Sequence, residues 1–271
     1  MNDLERGSIV AFGSRSEVRA WGDDTVAKIP NDSTPLPWIR YEAQYTAAVW
    51  ALGVSTHKSV GMSEHEGKPI GIYERVSGPT LWAVILDDPQ RAGAFGEQLA
   101  NIHARILTSP APIALPRQID RLTCKIRRAI PALDLQLEQI LACLPTKKLP
   151  VRLCHGDFHP GNIIMSPDGP VVIDWFDACR GSAVGDIART SLLLGLGGRN
   201  VGELAHLPGH TKSLLADVHS AYLETVLREL GVDRQTLEQW RRAEAIARAA
   251  VGADPRAMVA VWNDWAGHSA A

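Results

Sequence analysis

The stretch "LCHGDFHPGNIIMSPDGPVVIDW", Leu153 to Trp175, limits the possible folds more than any other part of the chain. Two short β-rich runs, "NIIM" and "VVID", are joined by "SPDGP", whose proline and Asp-Gly pair suit a tight antiparallel turn. Asp157 and Asn162 precede the first run, and Asp174 ends the second. A hairpin brings the chain back to its starting end, so the spacing predicts that these three side chains converge.

The flanking sequence shows where the hairpin is housed. Upstream, "GSIVAFGSRSEVRAWGDDTVAKIP" mixes β-prone pieces with glycines and a "GDD" turn, which predicts consecutive antiparallel strands. After prolines at 30, 35 and 37, "WIRYEAQYTAAVWALG" carries Trp38, Tyr45, Val49 and Leu52 at helical spacing, with Gly53 as terminator. "KPIGIYERVSG" reads as a further strand, and Gly78 and Pro79 mark a natural exit from a first lobe, with a boundary near residue 77. Beyond it, helical signals dominate. Asp88 and Pro89 predict a helix start before Phe95, Leu99, Ile102 and Ile106, and a further helix falls within Ile119 to Leu144, interrupted at Pro131. Two amphipathic helices near the end are separated by Gly231 and Asp233. The expectation is an α+β chain of two lobes: residues 1–76, an antiparallel sheet with one main helix, and residues 77–271, mostly helical and carrying the hairpin.

Composition narrows the function classes. With 271 residues, 45% hydrophobic, 21% charged and a net charge of −2, the chain matches an ordinary globular protein and advertises no nucleic-acid partner. No apolar run reaches the roughly 20 residues of a membrane helix, and "MNDLERGSIVAFG" lacks the pattern of a signal peptide, so a cytoplasmic location is expected. The four cysteines are scattered without a C-x-x-C pair, which predicts free thiols.

Carboxylate and amide oxygens are hard ligands suited to Mg²⁺, a cation usually held by one or two protein side chains plus substrate phosphates. Asn162 and Asp174 fit that sparse ligation, leaving Asp157 to orient a hydroxyl and accept its proton during phosphoryl transfer. Taken singly, each aspartate has a plainer reading as a turn former or helix cap. Cys154, His155 and His159 could be read as zinc ligands, but the flanking sequence supplies no fourth soft ligand at zinc-like spacing.

"HGDFHPGN" followed by "IDW" resembles the signature of the aminoglycoside phosphotransferase family, protein-kinase-like enzymes that phosphorylate small-molecule hydroxyls. The resemblance implies a bilobal kinase-like fold and use of ATP with Mg²⁺. It makes Asp157 the catalytic-loop base, Asn162 and Asp174 the metal ligands, and His155 a supporting residue, and it gives an aspartate at Asp186 an anchoring role. It further implies a strand lysine and a helix glutamate in the first lobe, which "TVAKIP" supplies as Lys28 and the following helix as Glu42. "IYERVSG" resembles the interlobe connection, where backbone near Glu74 and Val76 would meet the adenine. "GSRSEV" stands where a fuller glycine-rich loop is usual, with Ser14 and Ser16 as phosphate-covering residues. No G-x-x-x-x-G-K-[ST] occurs, which excludes a P-loop NTPase.

The function implied is ATP-dependent O-phosphorylation of a small hydroxylated acceptor, an aminoglycoside or other antibiotic in the first instance. A kinase for a sugar, amino alcohol or nucleoside-like metabolite is the alternative, and a nucleotide-binding regulator without phosphotransfer is another. Glu224, Glu244 and Asp264 are the acids that could meet a cationic acceptor, against the plainer reading of a solvated helix face.

Overall fold

In the computed structural model, which describes residues 7–13, 15–145, 149–195, 210–250 and 253–264, the opening β-prone pieces become β1 (Ile9–Phe12), β2 (Ser16–Ala20) and β3 (Thr25–Pro30). Helix α1 (Pro37–Trp50) follows, with proline in its first turn, and Gly53 beyond its end takes a left-handed φ of 76°. Strands β4 (Ser59–His65) and β5 (Lys68–Glu74) complete an antiparallel sheet of order β1-β2-β3-β5-β4. Sequence reading gave no sign of β4, and its burial explains why. It is an edge strand with nearly all its side chains exposed, so it lacks the alternation that marks a half-buried strand.

The two-residue period of the sheet sorts its side chains. Ala27, Ile70 and Ile72 are buried together on one face, with Trp21 and Ile29 packed against them. Lys28, opposite Gly71 in the β3–β5 register, therefore projects from the other face.

Helices then accumulate: α2 (Leu81–Asp87), α3 (Ala92–Thr108), α4 (Gln118–Ala129) and α5 (Leu137–Ala142). Pro89 opens a short 3-10 turn, Pro89–Arg91, one turn ahead of α3, and Pro131 sits in a second, Ile130–Ala132, that ends α4. The segment after α5 supplies β6 (Val151–Cys154), the hairpin strands β7 (Ile163–Ser166) and β8 (Gly169–Val172), and β9 (Cys179–Ser182). β7 and β8 pair as expected, with Gly169 at φ 119° closing the turn. β6 pairs antiparallel with β9, setting Cys154 opposite Cys179. Helices α6 (Ala183–Gly195), α7 (His210–Leu230), α8 (Arg234–Ala249) and α9 (Pro255–Asp264) follow, and Asp233 caps α8 by accepting the Thr236 N–H at 2.7 Å. No helix among the described residues is long and apolar enough to cross a membrane.

The chain forms two compact units, and neither is continuous in sequence. One comprises Met1–Ala83 with Gly161–Asp177; the other comprises Val84–Pro160 with Ala178–Ala271. This grouping differs from a single cut near residue 77, because the β7–β8 hairpin bonds to the first segment through its backbone. Val172 N–H donates to Ser55 O at 3.0 Å, and Met165 N–H to Pro79 O at 2.8 Å. Gly78 packs so tightly there that a Cβ would lie 2.2 Å from Met165 O.

In the second unit α6 is buried from Val184 to Leu194, the mark of a central helix. α3 packs closely on α7: at Gly96 a Cβ would meet Val218 O at 2.4 Å. Leu192, Ala245, Ala253 and Met258 join α6 to α8 and α9.

Candidate active site

The first unit gathers three charges. Lys28 Nζ lies 2.6 Å from Glu42 Oε1 and 3.1 Å from Asp174 Oδ1. Glu42 is buried, and its presence on α1 is explained by this pairing, since a carboxylate there needs a cation. Burial works against the Lys28 ammonium, but Asp174 and then Glu42 outweigh it and hold its pKa above the usual lysine value. Burial pushes Glu42 upward, to about 7, with Lys28 working against the rise.

Asp174 follows β8 with φ 64°, a left-handed conformation that aspartate tolerates better than most residues. The residue before it is anchored by Ile173 N–H donating to Asn162 O at 2.9 Å, so the backbone at the two ends of the hairpin meets next to Asn162 and Asp174. Beyond Asp174, Trp175 is fully buried and its indole N–H donates to Thr56 Oγ1 at 2.8 Å. Phe176 packs on Trp38 of α1, and the Arg15 guanidinium lies over both rings. Asp174 is therefore held by the hairpin on one side and by an aromatic anchor on the other.

The face of the sheet around Lys28 is also built. A Cβ at Gly71 would collide with the Tyr73 ring at 2.7 Å, so the glycine leaves room for that ring beside Lys28. Tyr73 stacks on His57 at 4.7 Å. His57 Nε2 is enclosed with no hydrogen-bond partner, and burial, reinforced by Lys28, lowers the imidazole pKa to about 3. Nothing in the sequence had singled out His57.

Two other expected residues belong to this unit. Glu74 ends β5 with an exposed side chain whose Oε2 accepts the Lys58 N–H at 3.3 Å. Val76 is half-buried just past the strand. Ser14 lies outside the described residues.

Asp157 belongs to the second unit, in the loop after β6, where the backbone is tightly held. Asp186, in the first turn of α6, accepts the N–H groups of His155 at 2.7 Å and Gly156 at 2.8 Å, and His103 Nε2 lies 3.1 Å from it. His103 in turn meets the Tyr222 hydroxyl at 2.7 Å. Burial would raise the Asp186 pKa, but the His103 hydrogen bond, that histidine's charge and the loop amides hold it below the usual carboxylate value. The expected support from His155 has a specific form: its Nδ1 accepts the Asp157 N–H at 3.2 Å. Phe158 is buried and stacks on His103 at 4.0 Å.

The Asp157 carboxylate is partly exposed. Arg189 Nη2 lies 3.1 Å from its Oδ1, while Arg189 Nε donates to Gly156 O. Arg189 also approaches Glu244 of α8, at 3.8 Å. Sequence reading missed this arginine, because in "GDIAR" it is one more charge on what passes for a surface helix.

The donor chemistry fits a divalent hard cation. Asn162 and Asp174 offer an amide and a carboxylate oxygen, and among the described residues no three His, Cys, Asp or Glu side chains gather as a self-sufficient metal cluster. Such a pair suits Mg²⁺, whose remaining ligands are water and phosphate oxygen.

Comparison with solved structures agrees with this architecture. A type VIII aminoglycoside 3'-phosphotransferase is similar at 15% identity and TM-score 0.61, covering 90% of this chain and 91% of its own. A choline/ethanolamine kinase family protein from Mesorhizobium loti is similar at 14% identity and TM-score 0.56, covering 98% and 87%. The aminoglycoside phosphotransferase APH(3'')-Id from Streptomyces rimosus, in complex with ADP and streptomycin, is similar at 17% identity and TM-score 0.59, covering 92% and 93%. The fold is thus kinase-like, with an antiparallel sheet followed by a mainly helical part, as the sequence led one to expect. No curated protein matches the sequence. The model of the phosphotransferase enzyme family, APH, matches residues 12–201, a span that holds Lys28, Glu42, Asp157, Asn162 and Asp174, and the chain belongs to that family.

Proposed function

We propose that the protein is an ATP-dependent O-phosphotransferase that moves the γ-phosphoryl group to a hydroxyl of a small molecule, hydroxylated antibiotics being the first class to test. The observation that carries this reading is the Lys28 ammonium held between Glu42 and Asp174 in a member of a phosphotransferase family. A buried lysine whose position is set by one carboxylate and shared with another suits the contact of nucleotide phosphates.

On this reading residues 1–76 form the nucleotide-binding part. Lys28 contacts phosphate and Glu42 fixes it, the loop containing Ser14 covers the phosphates, and backbone at Glu74 and Val76 meets the adenine. Residues 77–271 supply the catalytic loop and the acceptor pocket. Asp157 orients the acceptor hydroxyl and takes its proton, with Arg189 restricting the carboxylate's rotation and Asp186 fixing the loop that presents it. Asn162 and Asp174 hold Mg²⁺, which when bound neutralises charge on the phosphates. Catalysis by these residues is then mostly positioning and charge complementarity.

The similar proteins act on different molecules: streptomycin is bound in the Streptomyces rimosus structure, whereas the Mesorhizobium loti protein is a choline/ethanolamine kinase relative. A small-metabolite kinase is therefore the second reading. Both are tested by ADP release with Mg·ATP, and with Mg·GTP in parallel, over a panel of hydroxylated antibiotics and metabolites. Turnover is expected with at least one acceptor, falling by about 10²–10⁴ in Asp157→Ala with Mg·ATP binding retained. A folded protein that binds Mg·ATP but releases no ADP with any acceptor would fit a nucleotide-binding regulator instead.

A further inference from the structure

The second unit contains a buried cation that phosphoryl transfer leaves unused. Arg248 lies on α8, one turn after Glu244, and is only 6% exposed. Its Nε is enclosed with no hydrogen-bond partner, and among the described residues no carboxylate lies within ion-pair distance of its guanidinium. The neighbouring arginine is placed differently: Arg189 reaches Asp157 at 3.1 Å and Glu244 at 3.8 Å. The two local carboxylates are thus approached by Arg189, and Arg248 stands behind as a second positive charge without direct contact.

A guanidinium removed from water is unfavourable unless an anion and hydrogen-bond acceptors meet it. Burial lowers the Arg248 pKa to about 10, Arg189 adds repulsion, and Asp157 and Glu244 oppose it, so the group is still charged at neutral pH. The planar fork of an arginine matches carboxylate and phosphate oxygens, and the same charge repels an ammonium group.

We infer that Arg248, backed by Arg189, is the receiving end of an anion-binding subsite beside Asp157, and that the hydroxylated acceptor carries a carboxylate or phosphate group. The inference rests on the reading of Asp157 as the residue that meets the acceptor hydroxyl. It makes a polycationic aminoglycoside a poor substrate and an acidic hydroxylated compound a good one.

The test is calorimetric titration of the full chain, without nucleotide, with four probes on one scaffold: gluconate, glucose 6-phosphate, glucose and glucosamine. At least one of the two anions is expected to bind about tenfold or more tightly than glucose or glucosamine, the factor that a charged hydrogen bond supplies. Which anion wins separates carboxylate from phosphate recognition. Arg248→Met should erase the preference, Arg248→Lys should keep part of it, and added salt should weaken anion binding to the parent protein. Equal behaviour of all four probes, or a preference that survives in Arg248→Met, overturns the subsite. Should Arg248→Met not fold, the probe ranking and salt dependence of the parent protein decide alone. ADP release with neutral or cationic acceptors and no anion preference would overturn the subsite and leave phosphotransfer standing. Anion preference without ADP release from any acceptor would do the reverse.

Discussion

Lys28 and Glu42 lie 2.6 Å apart, joining β3 to α1 through an ion pair in which the glutamate is almost fully enclosed. Removing the cation leaves the carboxylate with burial and the nearby Asp174 charge, both of which push its pKa upward, against only Arg15. Lys28→Met should cost about 2–4 kcal/mol. The Glu42 pKa is then raised in the folded state above its unfolded value of about 4.3, so the folded protein binds the extra proton. Thermal unfolding of Lys28→Met should therefore show stability falling as pH rises from about 4.5 through neutrality. The double variant Lys28→Met with Glu42→Gln should lose that slope and regain part of the stability; an unchanged slope would place the proton elsewhere.

Asp186 supports the loop of Asp157 through two backbone N–H groups and His103. Asp186→Asn keeps the size but turns one acceptor oxygen into a donor facing those N–H groups. A loss of about 3 kcal/mol or more is expected in denaturant unfolding. The Asp186 pKa is depressed in the folded state, so its contribution is present above the unfolded value near 3.9 and is lost as pH falls through the folded one. If the residue serves position, kcat should fall while the nucleotide KM holds.

Two half-buried histidines set an acid limit. Burial, with Lys28, lowers the His57 pKa to about 3; burial, with Arg241, lowers that of His219 to about 4. Below about pH 6.5 the unfolded chain takes up protons that these folded imidazoles refuse, so stability falls with pH. At pH 4.5 each should cost on the order of 2 kcal/mol. His57→Gln should reduce the slope of melting temperature between pH 6.5 and 4.5, and an unaltered slope would show that His57 takes up its proton in the folded state.

Two glycines of α3 separate helix propensity from packing. Gly93 has open space where a Cβ would stand, so Gly93→Ala should stabilise by up to about 1 kcal/mol. At Gly96 the same methyl would meet Val218 O at 2.4 Å and Ala221 Cβ at 2.8 Å. Gly96→Ala should destabilise by about 1–3 kcal/mol despite its better helix propensity. Calorimetric melting of the two variants should give shifts of opposite sign.

The legible residues were those whose chemistry conflicts with their neighbourhood. Lys28 within "TVAKIP" and Glu42 on the following helix are picked out by the family resemblance, and Glu42 at the edge of an apolar helix face is expected to need Lys28 as its partner, which lies 2.6 Å away. Asn162 and Asp174 were legible through turn chemistry, since "SPDGP" fixes where the chain doubles back. β4 was not legible, because an exposed edge strand leaves no alternation to read. The β6–β9 pair was hidden for another reason: its partners flank the hairpin, and register between distant segments leaves no local trace. Arg189 and Arg248 look like ordinary helix-surface charges until α6 and α8 are known to be buried where they sit. Glu244 was weighed as an acid for a cationic acceptor, and its nearness to Arg189 gives it another occupation. Glu224 is on the exposed side of α7, and the side chain of Asp264 lies outside the described residues.

Because the first unit is encoded in two separated pieces, the order of synthesis matters to it. Lys28 and Asp174 are 146 residues apart, so a nascent chain presents the lysine and its helix partner long before the second carboxylate exists. Until the ribosome has passed residue 177, the sheet waits without the hairpin that Ser55 and Pro79 bind. Formation of the Lys28–Asp174 contact is thus a late event in the life of the polypeptide, and a chain released early has no means of making it.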